Sequence, residues 1–111
     1  MTTQPTGTAT DATERTLEAL AAIVRSHAHT HEATWTEAAS VMWELPPTRH
    51  QPTAPAAELT TDDAVLGATR QALSGFSELI GECRSAVDAV RYGEAAGRLR
   101  NAVLFDYGRV R

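Results

Sequence analysis

Three histidines stand at alternate positions in the segment RSHAHTHE, residues 25–32 of a chain that has only four histidines. Imidazole nitrogen is a common ligand of Zn²⁺ and other transition metals, so metal binding is the first chemistry that this segment could perform. Alternate side chains share a face on an extended strand, whereas side chains four residues apart share one on a helix. The ligand set therefore depends on the element that carries His27, His29 and His31.

Apolar residues around these histidines recur at intervals of three and four, which predicts a helix over residues 12–45 or so. Its predicted buried face comprises Leu17, Leu20, Val24, His27, His31, Thr34, Ala38, Val41 and Leu45. On this helix His27 and His31 lie on one face and His29 on the other. Two histidines four residues apart form half of a zinc site, and Cys83 is the one soft ligand expected near their level. One hypothesis is thus a Zn²⁺ site made of His27, His31 and Cys83.

A second hypothesis for the same pair needs no metal. If the rings of His27 and His31 lie in or beside the apolar core, burial disfavours the charged imidazolium. Protonation below about pH 6 would then loosen the helices. The pair therefore supports two related alternatives, a metal-binding bundle and a pH-responsive one.

A second long helix is predicted over residues 62–91. It begins after Thr61, a favourable N-cap, with Asp62 and Asp63 near the positive end of the helix dipole. Its predicted buried face comprises Leu66, Thr69, Leu73, Phe76, Ile80, Cys83, Val87 and Val90. Gly75 lies inside this segment, but the apolar spacing keeps its phase across it, so we predict one continuous helix.

The apolar spacing fails after Val90, and a new face begins at Tyr92, which predicts a turn at Gly93. A third, shorter helix is expected over residues 94–107, and Gly108 would end it in the left-handed conformation. Between the two long helices, the four prolines of PPTRHQPTAPAAE predict a linker over residues 46–60. The Thr-rich residues 1–10 are expected to form a disordered tail, which leaves residues 11–111 as a single helical domain.

The predicted fold class is all-α. Two long helices joined by a short linker fold back as an antiparallel hairpin, and the shorter C-terminal helix covers part of its apolar face, giving a three-helix, bundle-like arrangement. The apolar surface left open would be completed by dimerisation. The predicted anchors of that contact are Trp35, Met42, Phe76 and Leu79.

Composition excludes several classes of function. The net charge is −4, unlike the basic footprint of a general nucleic-acid binder. Cys83 is the single cysteine, so an intramolecular disulfide is impossible and a reducing, cytoplasmic location is expected. No apolar run reaches the roughly 20 residues that cross a bilayer, so no membrane role is predicted. No phosphate loop, nucleophile motif or paired-carboxylate motif is present, and we assign no catalytic residue.

Arg25 and His31 have five residues between them, a spacing similar to the arginine–histidine motif of HEPN domains, which are small helical ribonucleases. The resemblance implies a role directed at nucleic acid. In this chain Ser26 follows Arg25, and on one helix the pair would lie nearly two turns apart. A small nucleic-acid-directed protein, regulatory or HEPN-like, is therefore a further alternative.

The sequence as a whole favours a non-enzymatic protein. We expect a helical interaction or accessory protein whose partner is another protein or a second copy of itself. No cofactor is predicted except the Zn²⁺ of the metal-binding alternative.

Overall fold

The computed structural model describes residues 7–45 and 59–108. The predicted tail at residues 1–6 and the predicted linker at residues 46–58 lie outside the described residues. Four α-helices follow in chain order: α1 (Gly7–Arg25), α2 (Glu32–Met42), α3 (Asp62–Glu82) and α4 (Ala86–Tyr107). A single 3-10 turn (His27–His29) separates α1 from α2. The described part of the chain contains no strand, and the predicted all-α, bundle-like fold class is confirmed.

The four helices pack in a ring, in which α1 contacts α3, α3 contacts α4, α4 contacts α2 and α2 contacts α1. Two side-chain contacts show that α1 and α3 are antiparallel. Arg15 in the middle of α1 pairs with Glu78 near the end of α3, and Ser26 just after α1 accepts a hydrogen bond from Leu59 just before α3. Helices α2 and α4 are antiparallel as well, because Glu44 pairs with Arg91 and Glu37 with Arg98. All four helices therefore contribute to one core.

The core is built mainly from small and branched aliphatic side chains around one aromatic ring. Phe76 is fully buried, and its ring centroid lies 6.4 Å from that of Tyr92 on α4. The other large, fully buried aliphatic residues are Leu20, Ile23, Val41, Val65, Leu66, Leu99 and Val103. Several buried threonines bond a backbone carbonyl four residues back, as Thr16 does to Ala12 and Thr69 to Val65. Their hydroxyl groups enter the core without leaving a donor unpaired.

Gly75 lies where α1 and α3 approach each other closely. A Cβ atom at this position would lie 1.8 Å from Oγ1 and 3.3 Å from Cα of Thr16 on α1. Glycine in a helix costs about 1 kcal/mol of stability relative to alanine. Here the absence of a side chain allows the two backbones to approach each other. Helix α3 runs through Gly75 without interruption, so the predicted continuity is confirmed.

The prediction of one helix over residues 12–45 is wrong, because the chain breaks between Arg25 and Glu32. Residues distant in sequence hold the two sides of this break: Leu59 donates its backbone N–H to the Ser26 hydroxyl, and Asp106 accepts the backbone N–H of Thr34. The apolar spacing continues across the break because α1 and α2 both bury residues in the same core, so the spacing does not reveal the break. The helix also starts earlier than predicted: α1 includes residues 7–10, which had been assigned to the disordered tail.

The turn predicted at Gly93 lies instead at residues 83–85, so the prediction of one helix over residues 62–91 is wrong. Helix α3 ends at Glu82, and α4 begins at Ala86 and continues through Gly93. The Ser85 hydroxyl accepts the backbone N–H of Asp88 at 3.3 Å, which caps the new helix. The predicted third helix is therefore not short: α4 has 22 residues and covers the length of α3.

Two predicted helix ends are confirmed. The Thr61 hydroxyl accepts the backbone N–H of Ala64, and Gly108 ends α4 with a φ of 75°. Both depend on local geometry alone, which is why the sequence identifies them. Among the described residues, no helix is both long and apolar enough to cross a membrane.

Candidate functional site

The histidine segment forms the turn between α1 and α2. His27 and His29 belong to the 3-10 turn, and His31 is the N-cap of α2 with extended backbone angles. The predicted common helical face of His27 and His31 therefore does not exist. Both side chains are exposed, so the predicted burial in the core is also wrong.

Each of these two histidines contacts a different aromatic ring. The His27 ring lies 4.2 Å from the Trp35 ring, centroid to centroid, and the His31 ring lies edge-on to Tyr107 at 4.9 Å. The indole N–H of Trp35 donates to the Val24 carbonyl oxygen at 3.0 Å, which satisfies a free carbonyl at the end of α1. The rings of His27 and His31 are thus part of the packing around the turn between α1 and α2.

Residues in the last turn of α4 cap the N-terminus of α2. His31 makes no side-chain capping bond; instead Asp106 accepts the backbone N–H of Thr34 at 2.6 Å. The Tyr107 hydroxyl accepts the backbone N–H of His31 at 3.3 Å, and burial raises the pKa of Tyr107 despite this bond. A carboxylate at a helix N-terminus is stabilised by the helix dipole, so Asp106 acts as a cap supplied from another helix.

The third predicted ligand, Cys83, follows the end of α3 and packs half-buried against the core. Burial raises the pKa of its thiol, and the negative charge of Asp88 raises it further. This disfavours the thiolate that binds metal or attacks an electrophile. Within residues 7–45 and 59–108, no group of three or more potential ligands lies close enough to hold a metal ion.

Arg25 and His31, which carry the resemblance to HEPN domains, do not share a helix. Arg25 is the last residue of α1, and His31 precedes α2 on the far side of the 3-10 turn. Both side chains are exposed.

Two of the four predicted contact anchors are not at the surface. Phe76 is fully buried and Leu79 is 4 % exposed, because the full length of α4 covers the face of α3 that carries them. Trp35 and Met42 are half-buried: Met42 packs against the core, and Trp35 contacts the His27 ring and the Val24 carbonyl oxygen. Part of the apolar surface predicted to remain open on the helical hairpin is therefore buried within the chain.

The exposed apolar surface lies on α4 and at the end of α2. Trp43 is 88 % exposed, and on α4 Phe105 is 83 %, Val87 74 % and Val90 60 % exposed, with Leu104 also at the surface. On α4 these residues follow the spacing of one helical face, whose middle part is polar. We call this the α4 outer face: Val87, Val90, Glu94, Gly97, Arg98, Asn101, Leu104 and Phe105.

Sequence reasoning missed this face because it placed Val87 and Val90 in the core of a helix continuing past Cys83. A usable signal was present. Ser85 and Asp88 have the S-x-x-D spacing of a helix start, and a new helix at that point turns the two valines outward. Phe105 had no place in any predicted buried face.

An open cleft of about 460 Å³ borders the α4 outer face, between α4 and α2. Its lining includes Ala33 and Thr36 from α2 and Asn101 and Phe105 from α4. The Arg98 guanidinium crosses it, with Nε 3.2 Å from Oε1 of Glu37. The cleft thus has an apolar edge and one internal ion pair.

Comparison with known proteins found no matching family model, no matching curated protein and no matching solved structure.

Proposed function

We propose that this protein is a non-enzymatic, self-associating interaction module, and that the α4 outer face is its contact surface. The observation that supports this most strongly is the exposure of large apolar side chains along one face of α4. Single exposed apolar residues are ordinary, but a grouped set on one helix is typical of a protein contact. Phe105, 83 % exposed, would be an effective anchor because aromatic side chains contribute much of the energy of interfaces.

The end of the bundle extends this surface. The Glu44–Arg91 ion pair, with 3.3 Å between Oε1 and Nε, joins the C-terminus of α2 to the first turns of α4. Trp43 directly precedes Glu44, and Val87 and Val90 lie four residues and one residue before Arg91, so these three exposed side chains lie at the same end of the molecule. Apolar area at one end and Phe105 at the other give the surface two points of attachment.

Sedimentation velocity of the full chain, with EDTA and with excess Zn²⁺, tests the proposal. We expect a dimer that forms with rising protein concentration, equally in both buffers. A single helical face is narrow, so the dissociation constant should be micromolar, roughly 1–100 µM. A chain that stays monomeric would contradict the proposal. A chain that assembles only with Zn²⁺ would contradict it too, in favour of the metal-binding alternative.

A further inference from the structure

We propose, on the basis of the proposed self-association, that two copies pair through antiparallel α4 helices. In this pairing Val87 of one copy faces Phe105 of the other, and Glu94 faces Arg98 of the other. The molecular two-fold axis passes near the middle of α4, beside Gly97. The occupant of the α4 outer face is thus a second copy of this chain.

The position of the face permits such a pairing. Tyr92, Ala95 and Leu99 are the buried residues in the middle of α4 and point toward α2 and α3. At 100° per residue, Val90 and Gly97 lie on the opposite side of the helix. A second helix can therefore lie along α4 without displacing either neighbour.

Charge along the face selects the antiparallel orientation. Glu94 lies before the midpoint of α4 and Arg98 after it, so a two-fold axis between them places each glutamate against an arginine of the other copy, twice per dimer. A parallel pairing would place Glu94 against Glu94 and Arg98 against Arg98. Like charges in contact are unfavourable, so the face is complementary to itself in one orientation only.

The two charged groups are available for this contact. Within the described ranges, Glu94 has no ion-pair partner in its own chain and its side chain is exposed. Arg98 bonds Glu37 through Nε and Ser40 through Nη2. A guanidinium group has five N–H donors, so Arg98 can keep both internal bonds and still donate to a second carboxylate.

The apolar ends match in the same register. Val87 and Phe105 lie on the same side of α4 and equally far from its middle, so the two-fold rotation brings them together. Val90 and Leu104 form a similar pair. The polar centre is therefore flanked on both sides by apolar contacts, as in a small interface with two hydrophobic patches.

Gly97 is consistent with close approach at the axis. A Cβ atom there would meet nothing within 4 Å in its own chain, so no intrachain contact requires glycine. Glycine inside a helix is still less favourable than alanine. A second helix crossing at this point would benefit from the missing side chain, as α1 does at Gly75.

Exchange of the two charges tests the register. Glu94→Arg gives a chain with arginine at both positions, and Arg98→Glu gives one with glutamate at both. Each variant alone brings like charges together twice, whereas a dimer of one copy of each has two opposite-charge pairs. Fluorescence-detected sedimentation of one labelled variant, alone and with its counterpart, measures both cases. Circular dichroism of each variant controls for folding.

We expect each variant alone to dimerise at least about tenfold more weakly than the wild type. The equimolar mixture should return to within a few-fold of the wild-type dissociation constant. A wild-type dimer that neither charge reversal weakens, or a mixture no tighter than the single variants, would overturn the α4 pairing and leave self-association standing. A wild-type chain that is monomeric would overturn both.

Discussion

The two phenylalanines of this chain lie in opposite surroundings. Phe76 on α3 is fully enclosed by the bundle, whereas Phe105 on α4 is 83 % exposed. Phe76 stands on a helical face with apolar residues at intervals of three and four, whereas the face that carries Phe105 is apolar at its two ends and polar in its middle. The difference is that the face of α3 packs against α1 and α4, whereas the apolar side chains of the α4 outer face are exposed.

This comparison teaches that apolar periodicity identifies a face that packs, without identifying what it packs against. The sequence analysis predicts an open surface on the hairpin of the two long helices, with Trp35, Met42, Phe76 and Leu79 as anchors. The structure covers the α3 part of that surface with α4 and leaves the far side of α4 open instead.

Truncation of the two rings gives the largest expected difference between these regions. Phe76→Ala should lower the free energy of unfolding by about 3–5 kcal/mol, because it leaves a cavity in a packed core. Phe105→Ala should change it by less than about 0.5 kcal/mol in the monomer. Urea unfolding followed by circular dichroism at low protein concentration measures both. Similar losses for the two variants would contradict the assigned burial.

Alanine at the two helix-crossing glycines sharpens the comparison. Gly75→Ala should destabilise the fold by about 1–3 kcal/mol, since its Cβ atom collides with Thr16. Gly97→Ala should stabilise the monomer by up to about 1 kcal/mol and weaken the dimer several-fold. Thermal unfolding at low concentration gives the first effect and sedimentation the second. The idea of close approach at Gly97 fails if the alanine variant dimerises as well as the wild type.

Asp106 and Phe105 are adjacent in sequence but lie on different sides of α4: Asp106 caps α2, and Phe105 is exposed. Asp106→Ala removes the acceptor of the Thr34 N–H and should cost about 1 kcal/mol of folding stability, the usual value of a helix cap. Glu94→Ala, which removes an exposed acid from the same helix, should stay within about 0.5 kcal/mol in the monomer. The capping role would be refuted by equal effects of the two substitutions in urea unfolding.

The smallest expected effect concerns the exposed link between α1 and α3. Arg15 pairs with both carboxylate oxygens of Glu78, with 2.9 Å between Nη1 and Oε2, and this hydrogen bonding lowers the pKa of Glu78. A lowered carboxyl pKa adds stability above the unfolded value of about 4.3, and that stability is lost as pH falls through the folded value.

The melting temperature of Glu78→Gln should therefore lie slightly below that of the wild type at pH 7, and the gap should close as pH falls below about 4. Scanning both proteins from pH 7 to pH 3 checks this. A gap that stays constant over that range would show that the ion pair contributes no stability.

Local signals in the sequence identified some elements correctly. The fold class, the start of α3 at its Thr61 cap and the end of α4 at Gly108 each depend on neighbouring residues or on composition. Of the two breaks, at residues 26–31 and at residues 83–85, only the second has such a local signal, the Ser85 cap of α4. The first is held by Asp106 and Leu59, which are distant in sequence, and the apolar spacing continues across it because both flanking helices face one core.

The candidate site shows the same limit. The predicted pairing of His27 with His31 depended on an unbroken helix, and the predicted anchors depended on a short third helix. Because α4 starts at Ala86, Val87 and Val90 lie at the surface and not in the predicted core. Exposure of a helical face is decided by the elements around it, so it follows from tertiary structure.

Sedimentation equilibrium of the double variant Val87→Ser, Phe105→Ser, beside the wild type, tests the central claim most directly. Both side chains are exposed in the monomer, so the variant should fold normally, with Gln71→Ser on the exposed side of α3 as the matched control. We predict a wild-type mass that rises toward twice 11.9 kDa, and a dissociation constant at least about 100-fold weaker in the double variant, equal to about 2.8 kcal/mol. A wild-type dimer that the double variant forms equally well would contradict the α4 outer face as the contact surface.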